Sequence, residues 1–199
     1  MIMAARRCFM ASFVKRITAG ITLLALCSLG MTVSAATVSF SANIGSDTTG
    51  CSMLIPDSTL NFRPLKANDL TGGTTTYQIK PIQIVLFCTG TDDPIIPSLS
   101  VTGNTPYAST SDTVFLDGVV NGVGFMVRQS DGSMPSQVEY YSPADAVVNS
   151  GTPMVMNTLD SNNGHYSEEV FWIGLVGPLG DTVVPGPFSA TLIVNIIFQ

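Results

Sequence analysis

Charge is scarce in this chain, and positive charge scarcer still. Only 11% of its 199 residues are charged, and eight bases face fourteen acids. Four of those bases, Arg6, Arg7, Lys15 and Arg16, fall within the first 16 residues, while every acid lies at or beyond Asp47. A body so poor in cations repels phosphate backbones and anionic lipid heads, which argues against nucleic acid as a partner. Histidine and tryptophan occur once each, as His165 and Trp172, and four cysteines include no CxxC pair. A zinc or iron–sulfur framework therefore has too few ligands at the right spacing. Amphipathic helical periodicity is missing from residue 36 onward. What is abundant is apolar: hydrophobic residues make up 45%. Disorder from low hydrophobicity is excluded, and the length suits one domain.

The N-terminus accounts for part of that apolar excess. Residues 1–16 are short and basic, and Ile17 to Val33 (ITAGITLLALCSLGMTV) carries no charge. Val33-Ser34-Ala35 then supplies small residues at the −3 and −1 positions of a cleavage site. This is the tripartite pattern of a secretory signal peptide over residues 1–35, cut after Ala35 or Ala36. Thr, Gly and Ser dilute the run too much for a retained membrane span, so no stable membrane insertion is expected after cleavage. The remaining chain, about 164 residues, keeps four bases against fourteen acids, a net charge of −10. Cys8 and Cys27 leave with the leader. Cys51 and Cys88, 37 residues apart, remain in an exported protein and are most simply one disulfide. Closing such a loop stabilises by about 3–4 kcal/mol in the chain-entropy model.

Beyond the leader, short runs rich in Val, Ile, Thr and Phe alternate with Gly, Pro, Asn and Asp clusters. Strands are expected at Val38–Ile44, Tyr77–Cys88, Leu99–Gly103, Thr113–Val119, Val123–Gln129, Met154–Met156, Val170–Val176 and Phe188–Phe198. Pro81 is expected near the start of its strand or at a bulge. Ser130-Asp131-Gly132 reads as a turn. About eight such segments at short spacing predict an all-β sandwich rather than an α/β fold.

The two ends are the most informative segments. In FSATLIVNIIFQ, residues Phe188, Ala190, Leu192, Val194, Ile196 and Phe198 share one face. So apolar a terminal strand belongs in the middle of a sheet, because exposed at an edge it would template aggregation. In ATVSFSANIGSDTTG, Val38, Phe40, Ala42 and Ile44 share a face, and a Gly/Ser/Asp/Thr stretch separates them from Cys51. One end carries a detachable strand, and the other carries a surface that needs a strand beside it.

With these residues in view, the chain resembles a pilin subunit of chaperone–usher fimbriae, of the kind that form type 1 and P pili. Gly186 is fourteenth from the C-terminus and Phe198 is penultimate, where such pilins typically place Gly and Tyr around alternating apolar residues. The Cys51 and Cys88 pair matches the family disulfide, and leader, extension and last strand fall in register with the family pattern. The resemblance implies a signal peptide over 1–35, a donor-strand extension over 36–47 and a pilin domain over 48–199. It implies an incomplete immunoglobulin-like β-sandwich lacking its last strand, completed by donor-strand complementation, an established form of β-strand addition. A periplasmic chaperone would lend a strand to the zipper Leu192, Val194, Ile196 and Phe198 and hold the carboxylate of Gln199. At the outer-membrane usher, Val38, Phe40, Ala42 and Ile44 of a neighbouring pilin subunit would replace that strand. The implied product is a non-enzymatic structural subunit, exported through the periplasm to a cell-surface fimbrium, contributing to adhesion and using no cofactor. Two departures stand out: Ala42 occupies a place where the family commonly has Gly, and Phe198 replaces the usual Tyr. The short extension resembles minor or adaptor subunits.

The alternative is a self-sufficient secreted β-sandwich, either an adhesin or a carbohydrate-binding module, with an exported hydrolase behind it. His165 sits in the polar turn SNNGHYS and has no second histidine for metal ligation. No G-x-S-x-G elbow accompanies it. Asp92-Asp93 reads as a loop. Glu168-Glu169 lies beside a strand, where adjacent residues face opposite ways and do not share acid/base work. Gly122 and Gly124 lack the third glycine of a dinucleotide site and read as close packing. Trp172 reads as sheet packing before sugar stacking.

Overall fold

Alternation of apolar and polar residues is translated directly into strands. The computed structural model describes residues 36–45, 50–110, 112–180 and 182–199. The expected leader over 1–35, with its cleavage site up to Ala35, and residues 46–49 of the linker lie outside the described residues.

Ten strands are present among the described residues: β1 (Ala36–Ile44), β2 (Cys51–Leu54), β3 (Thr59–Phe62), β4 (Thr75–Cys88), β5 (Pro97–Gly103), β6 (Val114–Phe115), β7 (Gly124–Gln129), β8 (Met154–Val155), β9 (Tyr166–Gly177) and β10 (Phe188–Phe198). A single helical turn, α1 (Gln137–Tyr140), is capped by Ser136, whose hydroxyl oxygen accepts from the Glu139 N–H. The strands form two five-stranded sheets, ordered β3-β1-β10-β5-β8 and β2-β4-β9-β7-β6.

Between the sheets lies the main core. Phe171, Ile173 and Leu175 of β9 and Ile82, Ile84 and Leu86 of β4 face Leu192, Val194 and Ile196 of β10. Period-2 burial is strictest in β10, where Ala190, Leu192, Val194, Ile196 and Phe198 are buried and the residues between them are not. Phe62, Phe125 and Phe188 stack in a tilted row, with ring centroids 5.2 and 5.5 Å apart.

Several local expectations are refined. Pro81 lies within β4, opposite Trp172, at neither its start nor its bulge, which falls between Thr76 and Gln78. It is tolerated there because β2 pairs only with Val85–Cys88 and leaves that stretch of β4 without a second strand. The expected strand Thr113–Val119 contracts to Val114–Phe115. Leu116 instead donates its N–H to Asn104 O at 2.9 Å. β2 and β3 were not expected, being only four residues each.

A second, smaller core covers the outer face of β7 and β9. Tyr140 of α1 is fully buried there among Val114, Leu116, Met126 and Val176. Its hydroxyl lies 2.7 Å from Met126 O and 2.5 Å from Trp172 O. Gly174 makes room for it, since a Cβ at that position would lie 2.1 Å from Tyr140 Cε1. Burial pushes the Tyr140 phenol well above its ordinary range.

Candidate functional site

The last strand of the chain is not left at an edge. β10 is flanked on one side by β5, antiparallel, and on the other by β1, parallel. The parallel register runs without a break from Ala36 beside Phe188 to Ile44 beside Ile196. On its far side β1 pairs with β3 only over Ala36–Ser39, and Phe40 N–H adds one bond to Ser58 O at 2.8 Å. The two segments singled out at opposite ends of the sequence thus meet along nine residues of β1.

The apolar face of β1 enters the core unevenly. Val38 is completely buried and Phe40 is 8% exposed, and Ala36 joins them. Ala42 is exposed and Ile44 is 37% exposed, although their partners Val194 and Ile196 are buried. In this pairing Ala42 lies exposed beside Val194 rather than enclosed in the core. The outward face of the junction is held by side chains. Asn43 Nδ2 donates to Asn195 Oδ1 at 3.2 Å, and Asn195 Nδ2 reaches Thr102 Oγ1 at 3.3 Å.

At the end of the pair, Gly45 N–H donates to Ile196 O at 2.9 Å. Gln199 is exposed, and Ile96 N–H donates to its backbone oxygen at 2.7 Å. Gly186 precedes β10. A Cβ there would meet no atom within 4 Å, so its φ of 156°, rather than space, is what favours glycine. Cys51 and Cys88 are directly paired across β2 and β4 and joined by a disulfide. The bond anchors the chain just beyond the linker that follows β1.

The other candidates are ordinary structural features. Glu168 is exposed, whereas Glu169 is turned inward, where its Oε1 accepts from Ser167 Oγ and Asn157 Nδ2 at 2.7 and 2.9 Å. The two carboxylates therefore do not converge. His165 sits at φ 54° in a turn, where its N–H donates to Asp160 O at 2.7 Å. Asp160 is held below the usual carboxylate range, first by the Asn162 side chain. Gly122 and Gly124 are packing glycines. A Cβ would lie 2.6 Å from Thr182 O at the first and 2.5 Å from Val114 Cγ1 at the second. Trp172 packs half-buried against the second core. Among the described residues no group of three or more His, Cys, Asp or Glu is placed to hold a metal ion, and no helix is long and apolar enough to cross a membrane.

Sequence reasoning did not single out Tyr140 or its contact with Gly174. The available signal was a glycine interrupting the apolar strand FWIGLVG, which marks a close approach from outside the sheet.

Comparison with known proteins agrees with this architecture. A family model described as Fimbrial protein matches residues 24–199. Among solved structures, the P pilus rod subunit PapA superposes with a TM-score of 0.52 at 20% identity, covering 75% of this chain and 99% of that one. The CupB6 tip adhesin from Pseudomonas aeruginosa matches with a TM-score of 0.45 at 16% identity, covering 76% of this chain and 44% of that one. No curated protein matches the sequence. The likeness to the rod subunit establishes the fold as the immunoglobulin-like sandwich of pilins.

Proposed function

The chain belongs to the Fimbrial protein family, and from that premise we propose that it is a structural subunit of a chaperone–usher fimbria, polymerising non-covalently by donor-strand exchange and contributing to adhesion. The observation that supports this most is the composition of the sheet around β10. The strand filling the place beside β10 comes from the opposite end of the chain. It is joined to the rest of the described fold through residues 45–50 and the disulfide-anchored β2.

Without β1, the inward residues Leu192, Val194, Ile196 and Phe198 would lose their cover on one side. Burying a large apolar side chain is worth about 1.5–3 kcal/mol before ordering costs, and an open strand edge adds unpaired backbone groups. A subunit in that state needs a substitute strand. On this reading a periplasmic chaperone supplies it first, then the Val38, Phe40, Ala42 and Ile44 face of a neighbouring subunit at the outer-membrane usher. The work is mechanical and requires neither a cofactor nor catalysis.

The pairing of β1 with β10 inside one chain favours a second reading, a self-sufficient secreted adhesin or carbohydrate-binding module. Co-expression separates the two. A fimbrial subunit yields a 1:1 complex with its chaperone, and a peptide spanning residues 37–46 displaces that chaperone, whereas the same peptide carrying Phe40→Asp does not. A mature chain that stays monomeric, ignores both chaperone and peptide, and binds a glycan would establish the second reading instead.

A further inference from the structure

The sandwich has a second unusual flank, away from β1. In the order β3-β1-β10-β5-β8, β8 is the far edge strand, and it pairs with β5 only at Ser98 and Leu99. Residues 144–152, on the way to β8, bridge the two sheets on this side. Val147 N–H donates to Val127 O of β7 at 2.8 Å, and Ser150 N–H donates to Val101 O of β5 at 3.0 Å. Asn149 locks the bridge further. Its Oδ1 accepts from Gly103 N–H at 3.1 Å, and its Nδ2 donates to Thr105 Oγ1 at 3.2 Å. Ser150 holds φ 53°, an uncommon conformation for a residue with a side chain. The bridge is thus fixed to both sheets.

It borders a cleft of about 500 Å³, a size that suits a small ligand. Val147 and Met154 give the cleft an apolar wall, and Asp145 and Gln129 supply its polar groups. Asp145, the only charged residue in the lining, stands 3.6 Å from Arg128 with its side chain 60% exposed. That gap exceeds a hydrogen bond, so the guanidinium balances the charge while the carboxylate keeps its acceptor sites. Arg128 is already engaged by α1, its Nη1 donating to Glu139 O and Tyr140 O at 3.0 and 3.1 Å. The Gln129 amide has only the Met156 sulfur near it, 4.0 Å from Nε2. Ser100 and Thr152, also in the lining, bear hydroxyls that make no hydrogen bond among the described residues.

We infer that this cleft binds a neutral saccharide of a surface glycan. Asp145 offers acceptors and Gln129 offers both donor and acceptor, which matches vicinal sugar hydroxyls that donate and accept in turn. The apolar wall receives the C–H edge of the ring. No cation is free to hold a phosphate or a sugar acid, and the one carboxylate is balanced, so a charged ligand gains nothing here. The inference rests on the proposed fimbrial function for its use. Assembled subunits would repeat the cleft along a fibre, and repetition turns weak single-site binding into firm attachment. β1 lies on the other side of β10 from β5 and β8, so exchange of that strand leaves the cleft open.

The test titrates the chaperone-held mature chain with glucose, galactose, N-acetylglucosamine, maltose, lactose and chitobiose, following its amides by NMR. At least one sugar is expected to give saturable shifts with a Kd on the order of millimolar, confined to residues 100–101, 129 and 144–154. Asp145→Ala and Gln129→Ala are expected to weaken that binding about tenfold each. Val148→Trp, at a 42% exposed position in the lining, should block it. All three side chains are exposed, so the urea midpoint should hold. No saturable shift from any of the six sugars, shifts elsewhere, or undiminished binding by the variants would overturn the inference. Tighter binding of N-acetylneuraminic acid would overturn the neutral assignment. Fibres should agglutinate beads bearing the bound sugar, and binding of the free sugar without agglutination would overturn the surface-glycan assignment. The variants should still join into fibres. A chain that binds sugar but never joins another copy would overturn the fimbrial function and leave the cleft standing.

Discussion

Phe40 stands beside Leu192 in the parallel pairing of β1 with β10, and both side chains are buried in the core. Two residues beyond, Ala42 stands beside Val194 but is exposed. The hold of β1 on the sandwich is therefore concentrated in its first half.

Truncations along β1 should follow that gradient. Phe40→Ala is expected to cost about 3–5 kcal/mol in the isolated mature chain, whereas Ile44→Ala, at a site already 37% exposed, should cost under about 1 kcal/mol. Urea unfolding of the two variants measures the difference. Equal losses would mean that β1 is seated along its whole length.

Removal of the disulfide should cost about 3–4 kcal/mol, since the bond closes a loop of 37 residues. Cys51→Ser/Cys88→Ser is expected to shift the urea midpoint downward with little change in slope. Because Cys51 follows the linker, the same variant should loosen β1, detected as faster hydrogen exchange at Phe40 and Ser41.

The second core depends on one contact. Gly174→Ala places a methyl group 2.1 Å from Tyr140 Cε1, a clash expected to destabilise by about 1–3 kcal/mol. Tyr140→Ala is costly by itself, but adding Gly174→Ala to it should cost almost nothing further. A double-mutant cycle checks this, and additive losses would show that ring and glycine do not interact.

Tyr140 also predicts alkaline behaviour. Burial raises its phenol in the folded state above the unfolded value of 10.0. The folded chain then holds a proton that the unfolded chain releases, so stability is complete below about pH 10 and falls as pH rises beyond it. Tyr140→Phe should be less stable at neutral pH and lose less on going from pH 9 to pH 11. Parallel curves for wild type and variant would show that the phenol does not titrate with unfolding.

The ends of the chain were the most legible part, because Phe188–Phe198 and Val38–Ile44 repeat their apolar residues with period 2 and a one-residue slip would turn either face outward. Their partnership could be argued from the unmet need of each strand. Its parallel direction could not, since alternation carries no polarity. β2 and β3 escaped notice because a four-residue strand holds only two inward positions. The start of β9 was hidden by Glu168 and Glu169, two adjacent charges that read as lying beside the strand until Glu169 is seen buried on its hydrogen bonds to Asn157 and Ser167.

The most direct test of strand exchange places a photo-crosslinking amino acid at position 40 and irradiates assembled fibres. Phe40 faces Leu192 within the single chain, so a crosslink to the 188–198 segment is expected in either arrangement, and what matters is whose segment it joins. Exchange predicts a ladder of covalently linked multimers, with the crosslinked peptide pairs drawn from two differently labelled copies. Crosslinks confined to single chains in intact fibres would contradict it.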